Sequence, residues 1–158
     1  MEKNRVLVSY HKTFVIILFV LLVSSCSLPR IIVLRDPLTP EEHINLGVAY
    51  ERKGEYAAAL EEYEAASKTM PVASFYMANI YFHKGEYGKA EKLYEKTIAH
   101  TQDPRACNNL AWLYYTTGKH MEKAAELARK AVSLSPGSDD FLDTLSRVTE
   151  KLNEAPTR

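Results

Sequence analysis

Two thiols, Cys26 and Cys107, stand 81 residues apart in a chain of 158 residues. They carry the sharpest intrinsic chemistry in the sequence. Cys26 closes the stretch "LLVSSC" at the end of an apolar run. A thiol there reads as half of a disulfide, as a buried core residue, or as a point of covalent modification. The other reactive side chains do not assemble into a constellation. His43, His83, His100 and His120 show no HExxH spacing, and no Cys–His cluster has metal-ligand spacing. No glycine loop is placed to cradle phosphate, and no Gly-x-Ser-x-Gly elbow presents a nucleophile. Glu61, Glu62 and Glu64 fall together on a predicted helix, where a carboxylate run reads as a solvated face rather than an acid/base pair. Asp139, Asp140 and Asp143 suit the positive start of a helix. The sequence therefore points away from an enzyme, and away from a metal or a diffusible cofactor.

The segment leading to Cys26 begins with Lys3, Arg5 and Lys12 and continues with ten uncharged apolar residues, 14–23. A bilayer-spanning helix needs roughly 20, and His11 and Lys12 interrupt any extension toward Val8. A basic start, a short apolar middle and the small Ser24 and Ser25 make a secretory signal over residues 1–25. Val23-Ser24-Ser25-Cys26 resembles the bacterial lipobox. That resemblance implies cleavage before Cys26, a diacylglycerol on its thiol and an acyl chain on the new amino terminus. Each buried CH₂ of such chains contributes about 0.8 kcal/mol of membrane affinity, so several chains anchor stably. Ser27, where an aspartate would signal inner-membrane retention, resembles the pattern of outer-membrane lipoproteins facing the periplasm. Two other readings remain open: an uncleaved single-span anchor, and an apolar helix of a soluble fold.

Removing that leader leaves 133 residues with 17 basic and 19 acidic side chains. This is enough chain for one domain with a real core. The near-neutral balance gives no basic stripe for nucleic acid. With Cys26 lipidated, Cys107 has no intramolecular partner, and a core position is expected for it.

The elements that position these residues come from internal repetition. "LGVAYERKGEYAAALEEYEAA" from Leu46 overlays "MANIYFHKGEYGKAEKLYEKT" from Met77 at an offset of 31, and "LAWLYYTTGKHMEKAAELARKA" from Leu110 follows 33 residues on. Such periods mean a stacked array. The recurring positions in the first copy are Leu46, Gly47, Tyr50, Gly54, Tyr56, Ala59, Tyr63, Ala66 and Pro71. The second copy has Met77, Ala78, Tyr81, Gly85, Tyr87, Ala90 and Tyr94, with Thr97 where alanine is usual. The third has Leu110, Ala111, Tyr114 and Gly118, then one extra residue before Ala124, Ala128, Ala131 and Pro136. This pattern resembles the tetratricopeptide repeat, a helix–turn–helix unit of about 34 residues. The implied fold is an all-α solenoid: repeats at 39–71, 72–103 and 104–136, a capping helix at 137–153 and a tail at 154–158. Phe141, Leu142, Leu145, Val148 and Leu152 are expected to form the apolar face of that cap. Residues 26–38 form a lipidated start and linker. Its apolar "IIVL" reads as packing on the first repeat, as a strand for a partner's sheet edge, or as plain tether.

In this family the first helices of successive repeats line a concave groove. The resemblance carries that role to Ile44, Val48, Glu51 and Arg52, to Phe75, Asn79, Phe82 and His83, and to Asn108, Trp112, Tyr115 and Thr116. Some members hold a peptide's terminal carboxylate there with cations and asparagines. Ile44 and Val48 replace two of the needed polar groups and Trp112 replaces a cation, which disfavours such a clamp. What remains is an aromatic groove with two amides, suited to a partner's apolar side chains and backbone. The groove is either open or filled by residues 31–34. The expected function is a lipid-anchored, non-catalytic scaffold. It would bind an envelope protein or peptide segment and assist a pilus, secretion or cell-wall complex. Two rival readings are an accessory subunit of an envelope enzyme such as a papain-like peptidase, and a cytoplasm-facing co-chaperone on an uncleaved anchor.

Overall fold

The computed structural model describes residues 37–154. Cys26, the signal segment and the "IIVL" stretch lie outside the described residues. Among the described residues there are seven helices and no strand. They are α1 (Pro40–Arg52), α2 (Tyr56–Ser67), α3 (Ala73–His83), α4 (Tyr87–Thr101), α5 (Pro104–Thr117), α6 (Met121–Leu134) and α7 (Asp139–Glu154). Each packs on its neighbours along the chain, and α7 also reaches back to α5. Nearest-neighbour stacking of this kind is a solenoid, the all-α architecture expected from the repeats.

Local chemistry sets the helix ends. Thr39 Oγ1 accepts from the Glu42 N–H at 3.2 Å, and the Thr39 N–H donates to Glu42 Oε2 at 2.7 Å. With Pro40 following, Thr39-Pro40-Glu41-Glu42 forms a capping box. The Thr39 backbone N–H first, then the Thr39 hydroxyl, holds the Glu42 carboxyl below its ordinary range. Asp103 caps α5 by accepting from the Arg105 N–H at 2.9 Å. Gly54, Gly85 and Gly118 turn each hairpin at φ of +78°, +73° and +68°, where a Cβ would be strained. The third hairpin takes up its extra residue through a second left-handed position, His120 at φ +51°. The His120 ring then lies edge-on to Tyr114, with centroids 5.2 Å apart.

Helices approach closely where small residues recur. Ala59, Ala78, Ala90, Ala111 and Ala124 are fully buried. At Gly47 even a methyl group would sit 2.5 Å from Tyr63 Cε1. Thr97 is fully buried too, and its hydroxyl donates to the Leu93 carbonyl at 2.9 Å, so the alanine position tolerates it. The core falls into two clusters. Ala59, Tyr63 and Ile80 form a small one under the first hairpin, flanked by half-buried Ile44, Val48 and Leu60. A larger one runs from Phe75 on α3 to Val148 on α7. Cys107 is fully buried, and burial pushes its thiol upward. On α7 the inward stripe is Thr144 and Val148 with Leu145 and Leu152 beside them. Leu142, expected on this face, is 45% exposed, because the stripe runs along the other side of its turn.

Candidate functional site

The first helices of the hairpins, α1, α3 and α5, line a groove made of two joined cavities. The larger, about 690 Å³, lies between the first two hairpins and is bounded by Val48, Glu51, Arg52, Tyr56 and Tyr76, with Asn79 and His83 at its far side. The smaller, about 300 Å³, shares Asn79 and His83 and adds Phe82, Tyr94, Asn109 and Trp112. The shared residues place the two cavities side by side, as one channel-like face across three helices.

The polar groups of this channel are held from beneath. Tyr63, fully buried on α2, donates its phenol to Glu51 Oε2 at 2.7 Å. Tyr94, buried on α4, donates to Asn79 Oδ1 at 2.7 Å, and Asn109 Nδ2 donates to the same oxygen at 3.0 Å. Burial, then the bond to Glu51, holds the Tyr63 phenol far above its ordinary range. Burial does the same for Tyr94. At the carboxyl-terminal end of the channel, Trp112 and Tyr115 stack with centroids 5.0 Å apart. Lys151 from α7 sits 4.5 Å over the Tyr115 ring and donates to the Tyr115 carbonyl at 2.8 Å. This is an ammonium–aromatic contact that fixes the platform.

Of the residues carried over from the repeat pattern, Val48, Glu51, Arg52, Asn79, Phe82, His83 and Trp112 border the channel. Ile44 instead leans on the small core. Phe75 does not reach the channel. It is 6% exposed within the larger core, 5.5 Å from the Tyr76 ring, and the Arg105 guanidinium covers its face at 4.7 Å. Asn108 is also buried, and its neighbour Asn109 supplies the amide facing the cavity. Asn108 Nδ2 meets Asn109 Oδ1 only at 3.5 Å. Tyr115 forms the side of the aromatic platform, and the exposed Thr116 spends its hydroxyl on the Trp112 carbonyl at 2.8 Å. Sequence reasoning missed Tyr56, Tyr76, Tyr94 and Asn109. Tyr76 and Asn109 each sit one residue beyond a predicted position, about 100° further round the helix. Tyr94 is a recurring repeat position, buried on α4, and its hydroxyl enters the channel network.

Among the described residues, no group of three His, Cys, Asp or Glu side chains could hold a metal, and no helix is long and apolar enough to cross a membrane. The channel offers aromatic faces, amide N–H groups and one fixed carboxylate. These are recognition groups, suited to an extended chain laid across the helices.

The tetratricopeptide repeat family matches residues 30–73, 44–104 and 77–139. No curated protein matches the sequence significantly. Solved structures share the fold. The first TPR of Spaghetti (RPAP3) bound to HSP90 peptide SRMEEVD is similar at a TM-score of 0.68 and 18% identity, over 75% of this chain and 96% of that one. The Sgt2 TPR domain from Aspergillus fumigatus is similar at 0.66 and 21%, over 73% and 80%. MamA from Desulfovibrio magneticus RS-1 is similar at 0.61 and 24%, over 72% and 66%. With overlapping matches running from residue 30 to residue 139 over stacked helical hairpins, the chain belongs to the tetratricopeptide repeat family, whose members are protein–protein interaction scaffolds.

Proposed function

We propose that this chain is a non-catalytic scaffold that binds an extended segment of another cell-envelope protein in its channel. In this reading it is anchored by lipid on Cys26 and faces the periplasm from the outer membrane. It assists the assembly or positioning of a pilus, secretion or cell-wall complex. The observation that carries the binding role is the pair of adjoining cavities across α1, α3 and α5, with polar groups fixed by buried tyrosines and an aromatic platform at one end. The solved relative bound to a peptide supports the same mode of use for this fold. The anchor rests on Val23-Ser24-Ser25-Cys26 after a basic, apolar leader.

Two measurements test the reading. Intact mass of the protein extracted from bacterial membranes with detergent is expected to show loss of residues 1–25 and gain of acyl mass. An unmodified full-length mass ends the anchor proposal. Crosslinking from a photoreactive residue at position 83, in the channel, is expected to trap one envelope protein. Trp112→Ala is expected to cut that yield at least tenfold with little change in thermal midpoint, because Trp112 is only half-buried. Equal crosslinking with and without Trp112 removes the channel as the binding surface.

A further inference from the structure

The channel's two anchored polar groups differ in sign, and this constrains what can lie on them. Both lone pairs of Asn79 Oδ1 are taken, by the Tyr94 hydroxyl at 2.7 Å and the Asn109 amide at 3.0 Å. Asn79 therefore turns only N–H donors toward a ligand, which suits a backbone carbonyl. Glu51 is fixed through Oε2 by the fully buried Tyr63 hydroxyl at 2.7 Å, so its second oxygen is held in place rather than free to swing. A fixed carboxylate beside Val48 and the Tyr76 ring loses little entropy on taking a cation. Arg52 shares the cavity, but it is exposed in the last turn of α1, and among the described residues no hydrogen bond or ion pair fixes it as Tyr63 fixes Glu51. Of the two charges, the preorganised one decides.

We propose that the channel selects a segment bearing a lysine or arginine side chain within an apolar stretch, with the cation on Glu51 and the adjoining backbone carbonyl on Asn79. This rests on the channel being the binding surface. It assigns Glu51 as the specificity-determining residue and Tyr63 as its positioning residue. It also separates this channel from one built for an acidic peptide or a terminal carboxylate, because the anion in its floor repels both.

The test uses an array of dodecapeptides blocked at both ends by acetyl and amide groups. The peptides are rich in leucine and phenylalanine and differ at one central position: lysine, arginine, norleucine or glutamate. The protein as extracted from membranes in detergent is applied at about 0.1 M salt, where exposed charges are partly screened. Lysine and arginine peptides are expected to bind at least fivefold better than norleucine, with glutamate weakest. Glu51→Gln, which still accepts from Tyr63, is expected to bring the lysine-to-norleucine ratio close to one. Tyr63→Phe is expected to lower the ratio about twofold, and crosslinker footprints on α1 serve as the fold control. A preference for glutamate, or a lysine preference that survives Glu51→Gln, overturns the inference while leaving the channel as the binding surface. Binding that is equal for all four peptides and untouched by Trp112→Ala overturns both.

Discussion

Gly47 marks the tightest approach among the described glycines. A Cβ there would meet three atoms of the Tyr63 ring at 2.5–3.0 Å, and that fully buried ring is stacked on Tyr76 at 5.2 Å and tied to Glu51 through its hydroxyl. Overpacking of this kind costs about 1–3 kcal/mol, only partly offset by the better helix propensity of alanine, about 1 kcal/mol. Gly47→Ala is therefore expected to lower the thermal midpoint by several degrees. Gly88 makes the opposite case. It lies in the first turn of α4 with nothing within 4 Å of its would-be Cβ. Gly88→Ala is expected to raise the midpoint slightly, by about 0.5 kcal/mol of stability. Calorimetry on the two variants checks both signs, and a shift in the same direction for both would refute the steric account.

At the scale of elements, α7 shows how a helix without a partner hairpin is held. Val148 is fully buried against α5 and α6, whereas Leu142 on the same helix is half in water. Val148→Asp is expected to cost more than about 3 kcal/mol by burying an unpaired charge. Leu142→Asp is expected to stay within about 0.5 kcal/mol. Chemical denaturation separates them, and equal effects would mean that α7 docks differently. The repeat spacing made the helices legible, whereas an end such as that of α4, at the left-handed Gln102, was not. The face of α7 was only partly legible, because a polar residue, Thr144, takes an inward place by donating to the Asp140 carbonyl at 3.0 Å. The channel was legible in outline for a similar reason. Repeat position tells which helix faces inward, but not how far each helix is rotated. A modest rotation moves Phe75 and Asn108 into the core and brings Tyr76 and Asn109 to the channel.

Across the whole molecule, each hairpin buries a tyrosine whose hydroxyl is bonded to a neighbouring helix: Tyr63 to Glu51, Tyr94 to Asn79 and Tyr114 to Glu91, each at 2.7 Å. Burial, then the Glu91 bond, pushes Tyr114 up to about 12, and Tyr63 and Tyr94 lie higher still. In the unfolded chain all three titrate near pH 10. The folded state therefore holds protons that the unfolded state releases, so stability is full below about pH 10 and falls as pH rises above it. Absorbance at 295 nm is expected to show these tyrosines ionising only with loss of helix. The Tyr114→Phe variant is expected to show a shallower fall in stability between about pH 10 and 12. Ionisation of all tyrosines before helix loss would contradict the burial described here.

The two unequal core clusters have a mechanical consequence. The cluster that seats the first hairpin on α3 is small, Ala59, Tyr63 and Ile80, while a larger one runs from α3 to α7. Tension applied through the amino-terminal side would not stretch such an array evenly. It would peel α1 and α2 away first and leave the aromatic platform at Trp112 in shape. Glu51 sits on the part that yields and Trp112 on the part that holds, so a load-bearing ligand would lose its cation contact before its aromatic grip. The first hairpin is in this sense a fuse, and the remainder a clasp.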